Sequence, residues 1–344
     1  MRTDWLRPLP WQQTLWLELS SLVRQQRLPH ALLLAGPEGI GKRWFARALI
    51  AFVLCEDRSG YACGRCRACM QLAVGAHPDA VLLGTDGLFG LALSADGRHE
   101  QALVHWQSDD GRGEGRKRRD IAIDGVRALI GRLGLSSHYG RSRATLIEPA
   151  DALNTSSVNA LLKTIEEPPP GTHLLLVSER PQALLPTLRS RCQRVRMATP
   201  PADEAQAWLE AQLGRQEPFA LAAAHGAPLC ALALASGDEL GQQQAWAELW
   251  MAVGRRRKDP VSAAAAVDRD AVPAHLRWAC GWLQQRFRDC VLQAGGGEAQ
   301  AWMQMLDEVI EASRLCAGNA QVQLVLEALF VQWLRLGPRA LGKD

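Results

Sequence analysis

The chain has 344 residues, 47% of them hydrophobic and 22% charged, with a formal net charge of +3. That length and composition support a sizeable core, exclude global disorder and predict two or three domains. The charge is too small to argue for nucleic acid, and no apolar run approaches the roughly 20 residues of a membrane span. The expectation is a soluble cytoplasmic protein, in which nine cysteines point to metal or buried thiols rather than a disulfide framework.

Trp5, Trp11 and Trp16, with Leu15, Leu17, Leu19 and Leu22 at helical spacing, predict a helix beside the first strand, broken at Arg27-Leu28-Pro29-His30. Ala31 to Ala35 reads as a buried strand and Trp44 to Ile50 as a helix. Between them Gly36-Pro37-Glu38-Gly39-Ile40-Gly41-Lys42 satisfies G-x-x-x-x-G-K in the strand-loop-helix context that pattern requires. In such a loop Gly36, Gly39 and Gly41 let backbone N–H groups converge on phosphate, and Lys42 reaches the outer phosphates. A Ser or Thr should follow and hold Mg²⁺. Arg43 stands there instead and has no oxygen to offer.

Cys55, Cys63, Cys66 and Cys69 come next, in a C-x7-C-x2-C-x2-C arrangement. Four thiolates this dense close a tetrahedral shell around Zn²⁺. The alternatives are free thiols, which Arg58, Arg65 and Arg67 would hold at the surface, or an iron–sulfur cluster, whose further C-x3-C-P is missing. With the shell complete, His77 reads as a turn residue before a short strand at Ala80 to Leu83. Glycines dilute residues 84–119, which predict a long flexible insertion. Its basic end (Arg112, Arg116, Lys117, Arg118, Arg119) is either a solvated loop or a contact for a phosphate backbone.

Val126, Leu129, Ile130 and Leu133 mark one face of a helix, and Ala144 onward reads as a strand ending in acid. An active NTPase commonly ends this strand with Asp for Mg²⁺, followed in ATPases by a Glu that activates water. Here Glu148 occupies the first position and Pro149 the second, so no base is present. A helix from Asn154 runs into Glu166-Glu167-Pro168, a strand over His173 to Val177 ends at Ser178, and a further helix ends in Pro186-Thr187-Leu188-Arg189-Ser190-Arg191-Cys192. Without context Arg191 would be a solvated or salt-bridged side chain. After Thr199-Pro200-Pro201 the chain reads as helical throughout. Trp246/Trp250 and Trp278/Trp282 at i, i+4 predict core contacts rather than base-stacking platforms. Cys230, Cys280, Cys290 and Cys316 read as buried thiols, and Arg255 to Lys258 as a solvated turn.

Taken together, Gly36 to Lys42, the four-cysteine insert, Asn159 to Pro169 and Leu188 to Cys192 resemble the clamp-loader branch of the AAA+ proteins, densely over about residues 25–200. The resemblance implies an α/β P-loop domain with a zinc-binding insert (1–198), a small helical lid (199–242) and an all-α collar (243–344). It also implies that Arg191 serves as an arginine finger on ATP held by a neighbouring subunit and that Ser178 is a sensor remnant. Leu229 stands where the lid's sensor arginine would be, a third departure from an ATPase. The implied protein hydrolyses no ATP itself, although Lys42 leaves nucleotide binding open. Its implied partners are gamma/tau motor and delta subunits in a hetero-pentamer that loads a sliding clamp on primed DNA, within a DNA-directed DNA polymerase (nucleotidyltransferase) holoenzyme. A self-sufficient gamma/tau-type ATPase and a zinc-dependent nucleic-acid-binding module are the alternatives.

Overall fold

Seven strands, all short and most of them apolar, form a single sheet in the order β4-β3-β2-β5-β6-β1-β7. The computed structural model describes residues 4–93, 102–107, 120–139, 142–237, 239–292, 296–316, 318 and 320–340. The strands are β1 (Ala31–Ala35), β2 (Ala80–Gly84), β3 (Gly87–Gly90), β4 (Val104–Gln107), β5 (Arg143–Ile147), β6 (Thr172–Ser178) and β7 (Gln193–Arg196). β2, β5, β6, β1 and β7 run parallel, while β3 and β4 add an antiparallel edge. Both faces of β1 are buried, as parallel strands between helices require. Leu32 and Leu34 face one core, with Trp16 and Leu19 of α1 (Gln13–Arg24), Phe45 and Phe52 of α2 (Lys42–Leu54) and Leu72 of α3 (Arg67–Ala73). Ala31, Leu33 and Ala35 face the other, with Val126 and Leu129 of α4 (Ile123–Leu133), Leu161 and Ile165 of α5 (Thr155–Glu166) and Leu188 of α6 (Pro186–Arg189).

The chain divides into two compact units, Met1–Trp208 with Ala227–Cys230, and Leu209–Gly226 with Ala231–Asp344. No helix among the described residues is long and apolar enough to cross a membrane. The helix α7 (Ala202–Leu213) buries Ala205 and Leu209.

Two stretches differ from the sequence expectation. Residues 87–90 and 104–107, inside the predicted flexible insertion 84–119, are paired strands. Their signal is weak because Gly87-Leu88-Phe89-Gly90 offers only two side chains. Gly87 is required, since its φ is +144° and a Cβ would lie 2.4 Å from the Trp106 carbonyl oxygen. Gly84 to Thr85 and the two strands are therefore ordered sheet and turn, whereas the basic run 112–119 lies outside the described residues. The helix expected to end in Pro186–Cys192 is a single turn, and the following Gln193–Arg196 is a strand missed because three of its four residues are polar and exposed.

After α8 (Ala220–Ala223) and α9 (Pro228–Ser236), the second unit is built from α10 (Glu239–Gly254), α11 (Pro260–Ala265), α12 (Val272–Leu292), α13 (Gly296–Cys316) and α14 (Val322–Ala340). Trp250 and Trp333 are fully buried, and Trp246, Trp278, Trp282 and Trp302 pack around them, so the paired tryptophans are core. Cys280, Cys290 and Cys316 are half-buried rather than buried, as is Cys230. The Trp250 indole N–H donates to His275 Nε2 at 2.8 Å, and the Trp333 indole N–H donates to the Trp250 carbonyl at 2.6 Å.

Burial holds His275 down at about 4. Between that value and the ordinary one near 6.5, the unfolded chain binds a proton that the folded chain refuses, so stability rises with pH across the window. Urea unfolding followed by tryptophan fluorescence should therefore show the second unit losing up to about 3 kcal/mol as pH falls from 6.5 towards 4. The loss relative to pH 7 should shrink in a His275→Leu chain.

Candidate functional site

The loop after β1 begins where the Gly36 N–H donates to the Ser178 carbonyl at 3.3 Å, tying it to the end of β6. Gly39 and Gly41 take φ of +72° and +89°, the left-handed turns that only glycine adopts readily. A Cβ at Gly39 would meet Cys230 Sγ at 2.3 Å, and the Leu229 N–H donates to the Gly39 carbonyl at 3.0 Å, so the 227–230 segment packs on the loop's tip. From the other side, the Trp11 indole N–H donates to the Ile40 carbonyl (3.0 Å), and Gln12 Nε2 donates to the carbonyls of Ile40 (3.1 Å) and Gly41 (3.0 Å). Lys42 starts α2 and is buried, with its ammonium donating to the Pro37 carbonyl. Burial lowers its pKa, against the opposing pull of Glu179.

At the end of β5, Glu148 is held by cations of its own chain. The two oxygens of Glu148 accept from Arg43 Nε at 2.5 Å and from Arg47 Nη1 at 3.4 Å. Arg43 and Arg47 are one helical turn apart on α2, which puts both guanidinium groups on the face that meets β5. Glu148 and Arg47 side chains are 8% and 5% exposed, whereas Arg43 is 58% exposed. Burial lowers the Arg47 pKa, and the Glu148 charge opposes that shift. The carboxylate of a P-loop NTPase that would share a metal's charge is here neutralised by two covalently attached cations. Pro149 presents no acid beside it. Leu229, on the segment against the loop, is aliphatic and brings no charge.

The Ser178 hydroxyl donates to Asp151 Oδ1 at 2.7 Å, and the Glu179 N–H to Asp151 Oδ2 at the same distance. Ser178 is fully buried. Its hydroxyl is thus committed to an acid that sequence reasoning did not single out. Asp151 follows Glu148-Pro149-Ala150, and only the sheet brings it to the end of β6. Arg47 was also missed, although its place four residues after Arg43 on a helix was a usable signal.

Arg191 lies just past α6. Its Nε donates to Glu166 at the end of α5, and its Nη1 donates to the Thr187 carbonyl at 3.0 Å. Its side chain remains 37% exposed.

The four cysteines converge as expected. Their sulfurs all lie within 4.8 Å of one another, and Cys55 Sγ is 3.9 Å from Cys66 Sγ. A tetrahedral shell with metal–sulfur bonds of about 2.3 Å would space its sulfurs about 3.8 Å apart, so the donor set fits a metal ion. N–H groups of Cys63, Cys66 and Cys69 donate to the sulfurs of Cys55, Cys63 and Cys66 at 3.2, 3.3 and 3.5 Å. Burial pushes the Cys55 thiol up to about 11 and raises Cys69 further. Burial also opposes ionisation of Cys63, but the N–H donors of Arg65 and Cys66 outweigh it and bring that thiol to about 7. Four thiolates cannot be held together here without a cation. His77 takes no part, because its Nδ1 accepts the Asp79 N–H at 3.1 Å.

A glycine loop leaving a buried parallel strand for a helix, with Glu148 and Ser178 at the carboxyl ends of β5 and β6, defines the P-loop class of nucleotide-binding α/β folds. A family model described as "DNA polymerase III, delta subunit" matches residues 11–201. A Pseudomonas aeruginosa protein named DNA polymerase III subunit delta' is 32% identical, over 96% of this chain and 98% of its own. The Escherichia coli protein of that name is 29% identical, over 79% and 74%. A Mycobacterium tuberculosis DNA polymerase III subunit gamma/tau is 29% identical over 50% of this chain and 25% of its own. The chain belongs to the delta-prime family of DNA polymerase III.

The triad at Glu148 makes a graded prediction. Glu148→Ala leaves Arg47 charged, buried and unpaired, and should cost about 3–5 kcal/mol in urea unfolding. Arg43→Ala removes an exposed partner and should cost about 0–1 kcal/mol. An Arg43 loss equal to the Glu148 loss would contradict this ordering.

Proposed function

We propose that this chain is a clamp-loader subunit that hydrolyses no ATP itself and supplies Arg191 to ATP bound by a neighbouring motor subunit. The observation that carries this reading is the neutralisation of Glu148 by Arg43 and Arg47. With that carboxylate engaged and Pro149 beside it, positions 148 and 149 offer neither a free metal-ligand carboxylate nor a base to activate water, while the loop itself keeps its shape. Family membership and the Ser-Arg-Cys placement of Arg191 support the second half. A guanidinium spreads positive charge over phosphoryl oxygens in the transition state, an effect worth roughly 10³–10⁵ in rate in the best-studied NTPases.

On this reading the partners are gamma/tau and delta subunits, with a sliding clamp and primed DNA reached through the assembly, in the cytoplasm. Residues 199–242 serve as the lid and 243–344 as the collar of a ring, and Ser178 is a sensor position whose hydroxyl now holds Asp151. Cys55, Cys63, Cys66 and Cys69 hold a structural Zn²⁺, whose charge allows the four sulfurs to stay ionised at close range.

The purified chain should show no ATP turnover above background, and Lys42→Ala should not change that. In the reconstituted loader, Arg191→Ala should slow single-turnover hydrolysis at the site it faces by roughly 10³-fold. Brisk turnover by the lone chain, or an unaffected Arg191→Ala complex, would refute the reading.

Metal analysis should find one zinc per chain. Stripping it with a chelator should expose residues 55–73 to hydrogen exchange while β1, β5 and β6 stay protected, because in small modules the metal's binding energy is folding energy. Unchanged protection of 55–73 in metal-free protein would remove the structural role.

A further inference from the structure

We propose that Glu166 is the positioning residue for Arg191, a carboxylate at the end of α5 that fixes which edge of the guanidinium faces outward. The inference rests on reading Arg191 as an arginine finger and deepens it. Glu166 is the last residue of α5, which stops there because Pro168 follows and disfavours helical backbone at Glu167. An acid at a helix C-terminus sits at the negative end of the macrodipole, so its place there does nothing for the helix. Its carboxylate instead accepts from Arg191 Nε.

A second contact completes the grip. Arg191 Nη1 donates to the Thr187 carbonyl at 3.0 Å and approaches Ser190 Oγ at 3.5 Å. Thr187 belongs to the one-turn helix α6, and its carbonyl accepts from both Arg191 Nη1 and, at 3.1 Å, Ser190 Oγ. Held at Nε by one element and at Nη1 by another, the planar guanidinium keeps a single orientation. Nη2 has no hydrogen-bond partner among the described residues. That leaves one N–H₂ corner for an anionic oxygen brought by another chain, while the freedom of a long side chain is already spent before any phosphate arrives. The pair is half-exposed on both sides, at 37% and 46%, so by itself it contributes little to stability. Its effect should appear in turnover rather than in folding.

The test uses the reconstituted loader with every other subunit unchanged, comparing Glu166→Ala, Glu166→Gln, Arg191→Ala and the double variant Glu166→Ala/Arg191→Ala. Glu166→Ala should lower kcat for ATP about five- to tenfold with KM unchanged, the pattern of an interaction made only in the transition state. Glu166→Gln keeps an acceptor oxygen and should recover most of the loss. The double variant should be no slower than Arg191→Ala, because Glu166 acts through that one side chain. Normal kcat in Glu166→Ala beside a slow Arg191→Ala overturns the positioning role and leaves the finger standing. Normal kcat in both overturns the finger itself. A Glu166→Ala loss that persists on top of Arg191→Ala, or one that tracks a lower melting temperature in the isolated chain, assigns Glu166 a structural role and overturns the inference.

Discussion

The arrangement at Glu148 is the constraint on which the rest of the nucleotide-loop region depends. A buried carboxylate must be paired or lose its charge, and in a P-loop motor part of that pairing arrives with the nucleotide as a metal ion. Here Arg43 and Arg47 supply it from α2, at 2.5 and 3.4 Å. The Glu148 charge is therefore met within the polypeptide, with one positive charge to spare. Lys42 shows the same inward turn, with its ammonium on the Pro37 carbonyl of its own loop.

The sheet makes that closure possible without rebuilding the fold. β1, β5 and β6 are buried almost throughout and pair in continuous parallel register, so the positions just past their carboxyl ends are held by the core. Gly36 bonded to Ser178, Ser178 to Asp151 and Glu148 to α2 form a chain of contacts across three strand ends. The strand ends are held in place by Leu32, Leu33, Leu34, Leu146, Leu175 and Leu176, all fully buried, whatever polar groups they position.

How much of this was legible follows from the length scale of each signal. β1, α2, α4, α5 and β6 carry unbroken apolar runs or helical stripes, and the cysteine spacing encodes the turns that bring sulfurs together, so all were readable locally. β3, β4 and β7 were not, because two glycines in β3, alternating arginines in β7 and a four-residue β4 with no fully buried side chain leave too little to show a period. The losses at Arg43 and Pro149 could be read position by position. The pairing of Arg47 with Glu148 could not, since 101 residues separate them and only the α2–β5 packing joins them. Asp151 and Glu166 were invisible for the same reason, being ordinary acids until the fold gives each a partner.

Three arginines of the first unit then separate by environment. Arg47 is 5% exposed and its charge is consumed by Glu148. Arg43 is open to solvent on one side but shares the same carboxylate. Arg191 is also paired, at Nε to Glu166 and at Nη1 to the Thr187 carbonyl, yet its side chain stays 37% exposed. A cation whose charge is enclosed can stabilise only its own chain, because desolvation and pairing leave no field for a newcomer. A cation held from behind and open in front loses little of its reach toward a foreign anion and has less orientational freedom to surrender on meeting one. The same residue type therefore sits in opposite environments at the two places: α2 turns guanidinium groups inward onto Glu148, and the segment just past α6 leaves one partly open to solvent.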